Sequence, residues 1–176
     1  MHSTHNPPNN QGTAMTTHTK NTATSKTPAA AKDAIALLKA DHETVSGLFA
    51  DYEKSDSSKK RKALVAEICS ELSVHAQIEE EIFYPAVKKA LKDKLLVPEA
   101  TVEHAGVKGL IAQIEGVEPD GEVFDAKVKV LSEYVKHHVK EEQTEMFPKA
   151  KATSLDLLEL GVQMAARKAE LLAARS

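Results

Sequence analysis

Two stretches of this chain, residues 75–85 and 138–148, align without a gap. His75-Ala-Gln-Ile-Glu79-Glu-Glu-Ile-Phe-Tyr-Pro85 falls on His138-Val-Lys-Glu-Glu142-Gln-Thr-Glu-Met-Phe-Pro148. Each carries a His and a Glu four residues apart, which on a helix share one face a turn apart. Each is also preceded by a further histidine, His42 before His75 and His104 before His138, at separations of 33 and 34 residues. The chain therefore reads as two similar halves, each a helix with one His followed by a helix with His-x-x-x-Glu.

The surrounding apolar residues give these helices their faces. Ile35, Leu38, His42, Val45, Phe49 and Tyr52 recur at steps of three and four, as do Leu64, Ile68, Leu72, His75, Glu79 and Ile82. A third face carries His104, Val107, Ile111 and Ile114, and a fourth Phe124, Val128, Leu131, Val135, His138, Glu142 and Met146. Ser57 or Ser58 is a suitable N-cap for the second helix. Pro98 suits the first turn of the third. Pro85 ends or kinks the second helix and Pro148 closes the fourth, since proline lacks an N–H and clashes with the preceding turn. Gly116-Val-Glu-Pro-Asp-Gly121 is a loop by its turn residues. Leu155 to Ala174 forms a fifth amphipathic helix with Leu158, Val162, Ala165, Ala169 and Leu172 on one side, free to pack on the bundle or to meet a protein partner.

Four long helices with short connections predict an all-α, up-down-up-down antiparallel four-helix bundle with an extra C-terminal helix. The domain reading is a disordered tail over 1–28, rich in Thr, Asn and Ser, a bundle over 29–150 and the amphipathic helix over 151–176. His2, His5 and His18 belong to the tail and read as solvated. Net charge −3 argues against a nucleic-acid partner, and no apolar run is long enough for a membrane span. One cysteine, Cys69, excludes an internal disulfide and a Cys-rich zinc site. The tail lacks the apolar stretch of a signal peptide, so a cytoplasmic protein is expected.

His42, His75, Glu79, His104, His138 and Glu142 all stand where the period calls for core residues. Burying that many ionisable groups unpaired would cost several kcal/mol each, so they need a common compensation. A bound cation supplies it, and imidazole with carboxylate suits iron, or zinc and manganese less distinctively.

The combination His42, His75-x-x-x-Glu79, His104, His138-x-x-x-Glu142 resembles the hemerythrin-like family of cation-binding domains, over about residues 33–150. The resemblance implies two non-haem iron ions joined by an oxo or hydroxo group. Glu79 and Glu142 would be bridges, with His42 and His75 serving one iron and His104 and His138 the other. Oxygen-carrying hemerythrins have another His four residues after the third-helix His, where this chain has Lys108. They also space the last His and carboxylate by five, which His137 and Glu142 would satisfy; the alignment with His75 favours His138. Water, Glu103, Glu145 or a tyrosine would complete the shells. Tyr52, on the face of His42, and Tyr84 read first as packing residues, with iron coordination or redox activity the alternative for Tyr52 and, behind it, for Tyr84; Tyr134, one turn before His138, is placed to donate to it. Glu80, Glu81 and Glu141 read as surface charges. The implied function is reaction with O2, NO or peroxide in sensing, scavenging or oxygen handling, with Leu38, Val45, Leu72, Ile111 and Leu131 walling a small-ligand pocket. A peroxide- or NO-consuming oxidoreductase and an iron-storing or metal-stabilised bundle are the alternatives.

Overall fold

The computed structural model describes residues 32–175; the tail assigned to 1–28 lies outside them. Asp33 starts α1 (Ala34–Lys54) by accepting the Ala36 N–H at 2.7 Å. Ser57 likewise caps α2 (Ser58–Ile78) through the Lys60 N–H. This helix runs on through a π-turn at Glu79–Phe83 into α3 (Tyr84–Ala90). Next come α4 (Leu96–Ile114) and α5 (Gly121–Glu141), joined by a loop whose Gly116 and Gly121 both have positive φ. A second π-turn, Glu142–Met146, carries α5 into α6 (Phe147–Lys151), and Asp156 caps α7 (Leu157–Ala173).

The core explains why the helices alternate in direction. One apolar cluster gathers Ile35, Leu38, Ile78, Phe83, Ala100, Met146, Phe147 and Met164; another gathers Val45, Ile68, Leu72, Val107, Ile111 and Leu131. Along α1 the chain passes from the first cluster to the second, along α2 back again, and α4 and α5 repeat the cycle. In every helix the histidine falls at the crossing: His42 between Leu38 and Val45, His75 between Leu72 and Ile78, His104 between Ala100 and Val107, and His138 between Leu131 and Met146. The bundle is thus two dry cores with a polar layer between them, and the up-down-up-down topology brings the four histidines to that layer.

Two expectations are corrected. Pro148 does not close its helix, and of the two outcomes expected at Pro85 an ending does not occur, because each proline follows a widened turn. The Tyr84 N–H reaches Glu79 O and the Phe147 N–H reaches Glu142 O, one residue further back than in an α-helix. That extra residue relieves the clash a proline ring makes with the turn behind it. In α7 the buried face is not the Leu158–Val162 stripe, whose members are 54% and 46% exposed; Gly161 and Met164 are buried instead, with Leu157, Leu160 and Leu171 against the first core. The helix packs on α1 and α2. No helix among the described residues is long and apolar enough to cross a membrane.

Candidate metal centre

All six residues of the repeated pattern are buried in the polar layer, with Glu79 0% and Glu142 1% exposed. The imidazoles converge in pairs through Nε2: His42 and His75 at 3.1 Å, His104 and His138 at 3.1 Å. Adjacent nitrogens held about 2.1 Å from one ion at right angles would lie about 3.0 Å apart, so each pair has the spacing of neighbouring ligands on a shared cation. The carboxylates lie between the pairs. Glu79 Oε2 is 3.3 Å from both His75 Nε2 and His104 Nε2, one histidine from each pair. Glu142 Oε2 is 3.2 Å from His42 Nε2 and 3.7 Å from His138 Nε2, again one from each. Glu79 Oε1 is buried and forms no hydrogen bond, and Glu142 Oε2 has only its ion-pair contacts to the two histidines, with no hydrogen-bond geometry. Orphaned buried carboxylate oxygens are costly unless a cation takes them up, so this donor set fits a metal.

Two groups of donor atoms are compact enough to hold an ion here: His42, His75, Glu79 and Glu142, and Glu79, His104 and His138. Each π-turn begins with a carboxylate of the layer, so the wider helical turn coincides with the approach of Glu79 and Glu142 to the opposite helices.

Electrostatics tie the layer together. Burial opposes charge on His75, but the Glu79 carboxylate, the contacts to Asp41 and Glu79, and the Glu142 charge outweigh it and lift its pKa to about 10. Burial likewise opposes charge on Glu79, yet His75 and His104 hold its carboxyl well below the usual range. Without a cation these carboxylates hold a proton on His75 and raise the pKa of His104 as well.

The outward nitrogens are also engaged. Nδ1 of His104 lies 3.0 Å from Glu80 Oε1, that of His138 2.7 Å from Glu103 Oε2, and that of His75 3.5 Å from Asp41 Oδ2. Placing the proton on Nδ1 and leaving Nε2 free as a ligand is what such carboxylates do. His42 Nδ1 meets the Gln143 side-chain amide at 3.2 Å. Lysines in turn hold two of the carboxylates: Lys168 of α7 reaches Asp41 at 2.7 Å, and Lys108 reaches both oxygens of Glu80 at 2.6 and 2.7 Å. Lys108 therefore anchors the carboxylate that orients His104.

Tyr84 is the residue that sequence reasoning misplaced. Its hydroxyl lies in the layer, 3.1 Å from Glu142 Oε1, 3.2 Å from His104 Nε2, and 3.4 Å from both Glu79 Oε2 and His138 Nε2. Burial first, then the Glu79 and Glu142 charges, push the phenol well above its ordinary pKa, so it stays protonated and donates. Its repeat counterpart, Phe147, instead stacks on His42 with ring centroids 6.0 Å apart and planes 6° from parallel. The repeat itself held the signal: one half has Tyr where the other has Phe, just before the proline. Tyr52 points elsewhere, donating to Asp125 Oδ1 at 2.7 Å with Arg61 over its ring. Tyr134 is half exposed beside Gly106, and His138 takes Glu103 as its outward partner. Glu80, read as a surface charge, supports His104; Glu81 pairs with Arg167 of α7, Glu145 with Lys149, and Glu141 with His137.

Opposite Tyr84 and Phe147 lies a cavity of about 20 Å³, enough for one water-sized molecule. Val45, Leu72, Val107, Val135 and Val139 line it together with all four histidines of the layer, while Glu79 and Glu142 do not. Of the residues expected to form an apolar wall, Val45 and Leu72 face it; Leu38, Ile111 and Leu131 are buried in the flanking cores.

Comparison with known proteins places the fold in a family. A crystal structure titled as a Hemerythrin HHE cation binding domain-containing protein, the Rv2633c homolog from Mycobacterium kansasii, superposes with a TM-score of 0.69 and 28% identity, covering 81% of this chain and 89% of that one. The uncharacterized protein Rv2633c of Mycobacterium tuberculosis is 28% identical over 139 residues, 77% of this chain and 84% of that protein. A Nostoc sp. protein named DNA nickase is 29% identical over 111 residues, 63% of this chain but only 31% of that longer protein. Residues 33–150, which carry all six residues of the polar layer, match the Hemerythrin HHE cation binding domain family, and the chain belongs to it.

Proposed function

We propose that the polar layer holds two iron ions bridged by Glu79 and Glu142, and that the loaded protein reacts with O2, NO or peroxide. The observation that carries this reading is the placement of each carboxylate between one histidine of either pair, beside a cavity sized for a small molecule and lined by the same four imidazoles. His42 and His75 would hold one ion and His104 and His138 the other. When bound, the metal pair supplies redox equivalents and open coordination positions. The chain's own residues do the rest. Asp41, Glu80 and Glu103 hold the imidazole rings in register, the valines around the cavity limit water and admit small ligands, and the Tyr84 hydroxyl holds a proton at the layer.

Tyr84 favours turnover over reversible carriage. A phenol within hydrogen-bonding distance of both carboxylates and one histidine pair gives a proton donor on one side of the layer, whereas Phe147 gives none on the other. A peroxide-consuming oxidoreductase is accordingly the reading we carry second.

The test is metal content per chain after anaerobic reconstitution with ferrous iron, followed by exposure to O2, NO and peroxide. Two irons per chain with a charge-transfer band on oxidation supports the reading. One zinc, or no tightly held iron, overturns it in favour of a structural or storage bundle.

A further inference from the structure

A second set of donors lies outside the polar layer, at the seam between α4 and α5. Glu103, His137 and Glu141 each stand one residue before a member of the layer, His104, His138 and Glu142. One residue is about 100° around a helix, so this set repeats the inner geometry on the adjoining face. His137-x-x-x-Glu141 is itself a His-x-x-x-Glu pair, opposed by Glu103 across the seam. His137 Nε2 lies 3.3 Å from Glu103 Oε1 and 3.3 Å from Glu141 Oε1, and one donor atom from each residue falls within 4.8 Å of the others.

The charge at the seam differs from that around the other outward carboxylates. Asp41 has Lys168 and Glu80 has Lys108. Among the described residues no lysine or arginine pairs with Glu103, Glu141 or the neighbouring Glu99. Two carboxylates and an imidazole meet there with no fixed cation, and His137 is 64% exposed and reachable from solvent. Glu103 also has a double role: Oε1 faces His137, while Oε2 is 2.7 Å from Nδ1 of the buried His138.

We infer that Glu103, His137 and Glu141 form an outer site for a divalent transition-metal cation, joined to the buried centre through Glu103. Imidazole with two carboxylates selects a first-row ion over calcium or magnesium, which prefer oxygen alone. Three protein ligands and an exposed histidine leave water to complete the shell, so this site is the weaker one and exchanges its ion readily. Its position one carboxylate away from His138 makes it the place where a cation from solvent first meets the protein on this side.

Zinc alone is the probe, measured by equilibrium dialysis on the full chain. The unaltered protein takes up one weak equivalent beyond those of the buried layer. His137→Ala and Glu141→Gln each weaken that equivalent at least tenfold and leave the tight ones in place. A His42→Ala/His104→Ala chain, in which the layer is crippled, keeps the weak equivalent. Should that chain not fold, the nitrogen shift of the His137 ring in the unaltered protein, followed during zinc titration beyond saturation of the layer, reads the same event. A weak equivalent insensitive to both single substitutions, or a His137 ring whose signal stays fixed, overturns the outer site and leaves an imidazole–carboxylate ion pair only. Loss of the tight equivalents alone would instead count against the buried two-metal reading.

Discussion

On the inner side of the layer, the aromatic residue just before each proline differs between the halves by a single hydroxyl. Tyr84 and Phe147 occupy equivalent places, and the second half shows that a phenylalanine fits there. Tyr84→Phe should therefore fold and load metal as the unaltered chain does, because the imidazoles and carboxylates that would hold a cation remain in place. Peroxide turnover by the iron-loaded variant should drop by about 10²–10⁴-fold, the range general acid–base donors contribute. Undiminished turnover, measured as steady-state peroxide loss, would remove Tyr84 from the reaction. The other residue-scale prediction concerns Cys69. Burial first, and the Glu115 charge second, push its thiol up to about 12. The reactive thiolate is thus scarce at pH 8, and alkylation of the native chain should lag that of the denatured chain by well over tenfold. Comparable labelling rates would show that this part of the core opens freely.

At the scale of the elements, the helices and their inner faces were legible because burial leaves a strong period. His42, His75, Glu79, His104, His138 and Glu142 broke that period and so identified themselves. What periodicity could not show was the local geometry at Glu79 and Glu142. A π-turn depends on a shift of hydrogen bonding by one residue, and a proline after it looks like a stop. Nor could it show the face of α7, where a glycine is more telling than any apolar residue. A Cβ on Gly161 would run into the Lys32 carbonyl and come within 2.7 Å of the Asp33 carbonyl carbon and 2.8 Å of the Ala34 nitrogen. These are backbone atoms at the start of α1, which cannot swing aside as a side chain would. Gly161→Ala should accordingly lower stability by about 1–3 kcal/mol, the usual range for overpacking, despite alanine's better helix propensity. A denaturant midpoint unchanged or raised would mean that α7 can shift without loss. Because Lys168 of the same helix holds Asp41, the shift should also weaken metal binding at the His75 side.

The whole molecule resolves one conflict, the placement of ionisable groups between two apolar cores. In the metal-free chain, protons do what cations would do. The ordinary histidine pKa is 6.5 and that of folded His75 is about 10, so its contribution to stability is fully present below about pH 6.5 and lost as pH rises through 10. The depressed carboxyl of Glu79 works in the opposite sense, losing its contribution only as pH falls into the acid range, so between pH 6.5 and 9 the histidine governs the slope. Metal binding requires neutral imidazole and releases those protons. Two consequences run in opposite directions over the same window: raising the pH from 6.5 to 9 should destabilise the metal-free protein while strengthening its grip on iron or zinc. With metal at about a hundred times its dissociation constant, mass action adds about 2.7 kcal/mol, or roughly 5–10 °C in melting temperature for a chain of this size. The gap between loaded and chelator-treated protein should start near that value and widen with pH in thermal melts. A gap that narrows with rising pH would mean that the layer is held together by something other than protons exchanged for a cation.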